Sequence, residues 1–153
     1  MKVADYAVAR GDAMIVTIGL GSCVAIILHD RAMQVAGLAH ILLPSESMSR
    51  DQSNPAKFPS TAVPLLVDEM RRIGARGPIT AKIVGGASMF RQLLSNGTNM
   101  GERNVDATRT ALDAAGVPIL AEDVGGDYGR SVYLEVPSGR VLIRSLKRGD
   151  LEL

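Results

Sequence analysis

Tryptophan is absent from this chain of 153 residues, and three tyrosines and two phenylalanines are its only aromatic side chains. So few stacking platforms count against nucleobases and sugar rings as ligands. A single cysteine, Cys23, excludes an internal disulfide and cannot supply the repeated thiolates of a structural zinc site. Charge of one sign is also missing: 17 Lys and Arg stand against 16 Asp and Glu, a formal +1 that sets up no field for nucleic acid or an anionic membrane. The longest uncharged run, Ala13 to Leu28, has 16 residues and is broken by Gly19, Gly21 and Ser22, whereas a membrane span needs about 20 mainly apolar residues. Without a secretory signal, the lone thiol fits a reducing cytoplasm. Partners are therefore recognised locally, with neither nucleic acid nor membrane insertion expected.

What the chain does contain is apolar: 46% of its residues are hydrophobic, enough to build one core without disulfide or metal. A single domain over 1–153 is expected, since neither repeat nor composition break divides it. Met14 to Ile18 and Val24 to Leu28 are β-branched or aliphatic runs on either side of Gly19-Leu20-Gly21-Ser22-Cys23, which predicts strand, tight turn, strand. Val35 to Leu43 predicts a third strand carrying His40 and ending at Pro44. Ser45 to Pro59 is polar and reads as a mobile surface loop. Ser60 is placed to cap a helix with Val63, Leu66, Val67, Met70 and Ile73 on one face, closed at Gly74, with Pro64 tolerated near its first turn. Ala81 to Val84 predicts a strand, and Gln92 to Gly101 a loop. Asn104 is placed to cap a second helix bearing Val105, Thr108, Leu112 and Ala115, closed at Gly116 and Pro118. Ile119 to Leu146 reads as a meander with turns at Gly125-Gly126-Asp127 and Ser138-Gly139, and Lys147 to Leu153 as a frayed tail. The pattern is α/β with strands in the majority. No long apolar seam is left over, so a monomer is expected.

The lone thiol is either core filler or a reagent. In isolation, a cysteine among aliphatic residues is more often a small core hydrophobe than a nucleophile. Its neighbours shift that balance, because Gly21 and Ser22 let the backbone turn sharply, exposing sulfur and aiming amide N–H groups at a developing oxyanion. A thiol of ordinary pKa also needs activation, either by a helix N-terminus or by an adjacent imidazole acting as base. Of two histidines, His29 is followed by Asp30 and Arg31 and reads as an exposed turn residue, whereas His40 lies in an apolar run where a fixed tautomer can be maintained. A core histidine satisfied by backbone is equally open at this point. No ligand spacing supports a metal, and Gly19-Leu20-Gly21 lacks the third glycine of a dinucleotide fingerprint, so no cofactor is expected.

Five segments in order resemble one family. They are TIGLGSCVAI at Thr17 to Ile26, GLAHILLP at Gly37 to Pro44, KIVGGASMF at Lys82 to Phe90, GERN at Gly101 to Asn104, and EDVGGDYGRSV at Glu122 to Val132. Together they are similar to CheD, the chemoreceptor glutamine deamidase of chemotaxis systems. The resemblance departs at Met100, where an isoleucine often precedes the glycine, and at Arg91 to Asn99, which looks longer than usual.

That resemblance implies a layered α/β sandwich, strand-rich with about three helices, similar to the catalytic domain of cytotoxic necrotizing factor toxins. It implies that Cys23 is the nucleophile, His40 the general base and Thr17 the residue that orients the histidine, with the oxyanion held at the turn of Gly21 and Ser22. The implied substrate is a glutamine on the cytoplasmic helices of a methyl-accepting chemotaxis receptor, turned to glutamate through a thioester with release of ammonia. The family also pairs with the phosphatase CheC, so a regulatory binding partner of a CheC-like phosphatase with little catalysis is the alternative. A related cysteine hydrolase or transglutaminase is a third.

Overall fold

Val24 to Leu28 is apolar at every position, the pattern of a strand covered on both faces, and in the computed structural model this strand is the middle of the molecule. Residues 1–89 and 99–153 are described. Nine strands and two α-helices follow along the described chain: β1 Tyr6–Arg10, β2 Met14–Leu20, β3 Val24–Asp30, β4 Val35–Ile41, α1 Pro59–Arg72, β5 Thr80–Gly85, α2 Met100–Ala114, β6 Ile119–Val124, β7 Arg130–Glu135, β8 Val141–Ser145 and β9 Gly149–Glu152. They form a five-stranded sheet in the order β1-β4-β3-β5-β6 and a four-stranded sheet in the order β2-β7-β8-β9. Only β5 and β6 run parallel, and α2 lies on the crossover between them.

The side-chain alternation of β3 separates two cores. Val24, Ile26 and Leu28 pack against Ala62, Val63, Leu66 and Met70 of α1 and Val105 and Leu112 of α2. Cys23, Ala25 and Ile27 face the other way, onto Ile15 and Leu20 of β2, Val132 and Leu134 of β7 and Val141 and Ile143 of β8. The result is three layers: helices, five-stranded sheet, four-stranded sheet. The second sheet buries one face only, and β7 alternates buried and half-buried residues accordingly.

Several expectations are corrected. There are two α-helices among the described residues, not about three, with two single 3-10 turns at Glu46–Met48 and Pro55–Lys57. The strand, turn, strand expected around GLGSC is present as β2 and β3, but these strands do not pair with each other: β2 joins β7 in one sheet and β3 joins β4 and β5 in the other, so the turn is a bridge between sheets. The expected meander is likewise split, with β6 beside β5 and β7 in the second sheet. Ser45 to Pro59 is folded back rather than a loose surface loop. Ala56 and Phe58 are buried, Lys57 O accepts from the Leu42 and Leu43 amides, and the Asn54 side chain donates to Ala4 O. Lys147 to Leu153 is no frayed tail, because β9 pairs with β8 and Leu153 exchanges both backbone bonds with Val141.

Both helices start earlier than caps at Ser60 and Asn104 would place them. α1 begins at Pro59, whose missing amide is no loss at a first position, and Phe58 takes the cap position with no side-chain bond. Pro64 lies inside the helix on its exposed side, so the carbonyl it leaves unpaired faces water. α2 is capped by Asn99, whose side chain accepts from the Glu102 amide, so Met100 and Gly101 are helical and Asn104 is internal. Ala115 is exposed and not part of the packed face. Residues 92–98 of the expected loop, most of the long stretch Arg91 to Asn99, and Phe90 lie outside the described residues. Among the described residues no helix is long and apolar enough to cross a membrane.

Candidate active site

Thr17 lies in the middle of β2, His40 near the end of β4, and Cys23 one residue before β3. In the antiparallel pair β3/β4, Ala25 stands opposite His40 and Val24 opposite Ile41. Cys23, one residue before β3, is therefore the diagonal neighbour of His40 on the same face, a relation that puts Cα atoms about 7–8 Å apart and within side-chain reach. Both side chains point between the sheets. There Thr17 of β2 meets the histidine: its Oγ1 is 2.8 Å from His40 Nδ1, and both residues are 0% exposed. The register of β2 against β7 shifts just after Thr17, so Thr17 faces inward, Ile18 and Gly19 outward, and Leu20 inward again. That irregularity ends the pairing where the chain must cross to the other sheet.

The turn that carries the thiol is pinned by its carbonyls. Gly21 O accepts from the Ala87 amide at 2.8 Å, Ser22 O from Asn104 Nδ2 at 2.8 Å, and Cys23 O from the Gly86 amide at 2.8 Å. Close approach is possible because Gly85 has φ +116° and no side chain; a Cβ there would lie 2.3 Å from Cys23 O. Because a trans peptide directs C=O and the next N–H oppositely, carbonyls drawn into the protein turn the amides of Ser22 and Cys23 the other way.

Burial decides the charges. His40 has its pKa lowered to about 4, first by desolvation, then by the nearby Met1 ammonium, with Asp5 opposing. Burial also pushes the Cys23 thiol up, partly offset by its own backbone amide. At neutral pH the pair is thus neutral thiol and neutral imidazole rather than thiolate and imidazolium. His40 Nε2 is buried and has no hydrogen-bond partner among the described residues, so the ring nitrogen remote from Thr17 is uncommitted.

His29 is not the exposed turn residue expected. It is half-buried near the far end of β3, its Nε2 donates to Val136 O at 3.0 Å, and burial lowers its pKa. Six residues of strand separate it from Cys23, about 20 Å. Asn104 is not the helix cap expected, and the sequence offers it no site role on other grounds. It lies on the packed face of α2 with Gly101, Val105, Thr108 and Leu112. Among the described residues no three His, Cys, Asp or Glu side chains gather as metal ligands do.

Comparison with known proteins agrees in one direction. The family model described as CheD chemotactic sensory transduction matches residues 42–145. A probable chemoreceptor glutamine deamidase CheD of Pyrococcus abyssi is 41% identical over 150 residues, 97% of this chain and 92% of that protein. A protein of the same description from Caldanaerobacter subterraneus subsp. tengcongensis is 42% identical over 149 residues, 96% of this chain and 92% of its own. The chemoreceptor glutamine deamidase CheD of Thermotoga maritima is 42% identical over 149 residues, 97% of this chain and 92% of its own.

Proposed function

The chain belongs to the CheD family, and from that membership we propose that it deamidates glutamine side chains of chemoreceptors, with Cys23 as nucleophile, His40 as base and Thr17 as the group orienting the base. The observation that carries this reading is the buried Thr17–His40 hydrogen bond, which leaves the remote ring nitrogen uncommitted on the face that Cys23 shares. For His40 to act as a base, Nε2 must hold the lone pair. Nδ1–H then donates to Thr17 Oγ1, and the threonine hydrogen turns to the Met1 carbonyl, 3.4 Å away.

The steps follow from a neutral pair. His40 Nε2 takes the thiol proton as sulfur attacks the carboxamide carbon, forming the C–S bond and a tetrahedral oxyanion. The Ser22 and Cys23 amides, turned away from their pinned carbonyls, are the donors for that oxyanion, with Gly21 shaping the turn. His40, now charged, protonates the departing nitrogen, the C–N bond breaks, and ammonia leaves. Water, deprotonated by the same imidazole, attacks the thioester; the C–S bond breaks, sulfur recovers its proton, and a glutamate remains. The substrate is a glutamine on the cytoplasmic helices of a methyl-accepting chemotaxis receptor, which puts the enzyme in the cytoplasm.

Intact mass analysis of a receptor cytoplasmic fragment tests the reading. Wild-type protein is expected to add about one dalton per glutamine, and Cys23→Ala none, since only a thiol forms the thioester. A mass gain that persists with Cys23→Ala removes the cysteine from the mechanism.

A further inference from the structure

We infer that Asn104 is a positioning residue of this reaction, holding the Ser22–Cys23 peptide so that the Cys23 amide faces the oxyanion. The inference rests on the deamidase reading above and deepens it. Asn104 is 0% exposed, and its Nδ2 donates to two carbonyls, Ser22 O at 2.8 Å and Leu42 O at 3.1 Å. Ser22 immediately precedes Cys23, and Leu42 lies two residues beyond His40. One side-chain amide therefore ties the chain that carries the sulfur to the chain that carries the base.

The orientation of that amide has no alternative, because both partners are carbonyl oxygens and only the NH2 group can donate. Its own oxygen is left buried with no hydrogen-bond partner among the described residues. A leucine in this place would bury no orphaned acceptor; what it cannot do is hold two carbonyls. A residue that breaks a local rule beside a reactive group is the pattern of a functional constraint.

The geometry explains why the reaction needs it. Across a trans peptide, fixing Ser22 C=O toward α2 fixes Cys23 N–H in the opposite direction. Asn104 can reach Ser22 because Gly101, one turn earlier, lets α2 approach the β5 exit: a Cβ on Gly101 would lie 2.3 Å from Gly86 O and 2.5 Å from Ala87 O. Those two residues are the ones whose amides pin Cys23 O and Gly21 O.

The test sets two reactions of Cys23 against each other in Asn104→Leu and Asn104→Asp proteins. Attack on a carboxamide or an ester creates an oxyanion; displacement of iodide from iodoacetamide does not. Both variants are expected to lose about 100-fold in kcat for deamidation of a receptor fragment, with KM within about twofold, while iodoacetamide alkylates Cys23 within about threefold of the wild-type rate. Asn104→Asp should recover part of its kcat as pH is lowered and its buried carboxyl gains a proton to donate. A kcat within about threefold of wild type overturns the inference, and so does an equal fall in both reactions, which would mean a merely structural role. If wild-type protein leaves the receptor fragment unchanged, the deamidase reading fails separately. Acylation of Cys23 by p-nitrophenyl acetate then decides for Asn104: slowing of about tenfold or more relative to alkylation upholds it, and parallel rates reject it.

Discussion

Thr17 and His40 belong to different sheets, yet Thr17 Oγ1 stands 2.8 Å from His40 Nδ1 with both side chains fully buried. The bond spans the layer between the sheets, so the orientation of the imidazole depends on how the two sheets dock and not only on β4. A hydroxyl orients an imidazole less firmly than a carboxylate, and it cannot stabilise an imidazolium by full charge.

Thr17→Ala is therefore expected to lower kcat by about one to two orders of magnitude, less than the complete loss with Cys23→Ala, and Thr17→Ser to retain most activity. Thr17→Ala also leaves Nδ1 buried without a partner, which costs about 1–3 kcal/mol of stability. Deamidation kinetics and urea denaturation check the two effects together. Thr17→Ala equal to wild type in kcat would remove threonine from the site.

Acid sensitivity follows from the histidine. Its pKa falls from an ordinary 6.5 to about 4 in the folded protein, so between those values the unfolded chain binds a proton that the folded chain does not. Stability contributed by neutral, buried His40 is thus fully present above pH 6.5, is lost as pH falls toward about 4, and levels off below. The loss is roughly 3 kcal/mol at 1.36 kcal/mol per pKa unit. Urea denaturation at pH 7 and pH 4.5 should show a shallower decline for His40→Gln than for wild type; parallel declines would place the acid sensitivity elsewhere.

Arg130, 2% exposed at the start of β7, forms a buried polar clasp near the crossover between sheets. Its Nε donates to Asp123 Oδ2 at 2.7 Å, Nη1 to Gly125 O at 2.9 Å and Nη2 to Tyr128 Oη at 2.8 Å, and the guanidinium lies over the Tyr128 ring. Arg130→Ala strands Asp123 and the Gly125 carbonyl and is expected to cost about 3–5 kcal/mol. Arg130→Lys recovers only part of this, because an ammonium lacks the planar fork. Chemical denaturation of both variants measures the difference, and a loss under 1 kcal/mol in Arg130→Ala would show the clasp to be dispensable.

The placement of the candidate residues Cys23 and His40 was legible in the sequence. The apolar strand β3, the placement of Cys23 at the mouth of a turn and His40 on β4 were all read from hydrophobic runs and glycine punctuation. Those are local signals, and local signals determine element type. The start of α2 was not legible, because Asn99 and Asn104, five residues apart, are both good cap residues and propensity cannot choose between them. The cap was settled by packing: Asn104 shares a face with Val105 and Leu112 and so was drawn into the interior.

The sequence by itself raised Cys23 and His40 as candidates for nucleophile and base, indicated that strands would dominate, and carried five ordered segments that resemble one family. It could not decide which strands pair, because the apolar runs of β2 and β3 suit a hairpin and a bridge between sheets equally well. Tertiary structure made that choice, sending β2 to β7 and β3 to β4. With that choice came the meeting of Thr17 with His40, the dry environment that keeps the imidazole neutral, and the reach of Asn104 across to Ser22. Each is a contact between residues distant in sequence, and each depends on the burial that only a packed core creates.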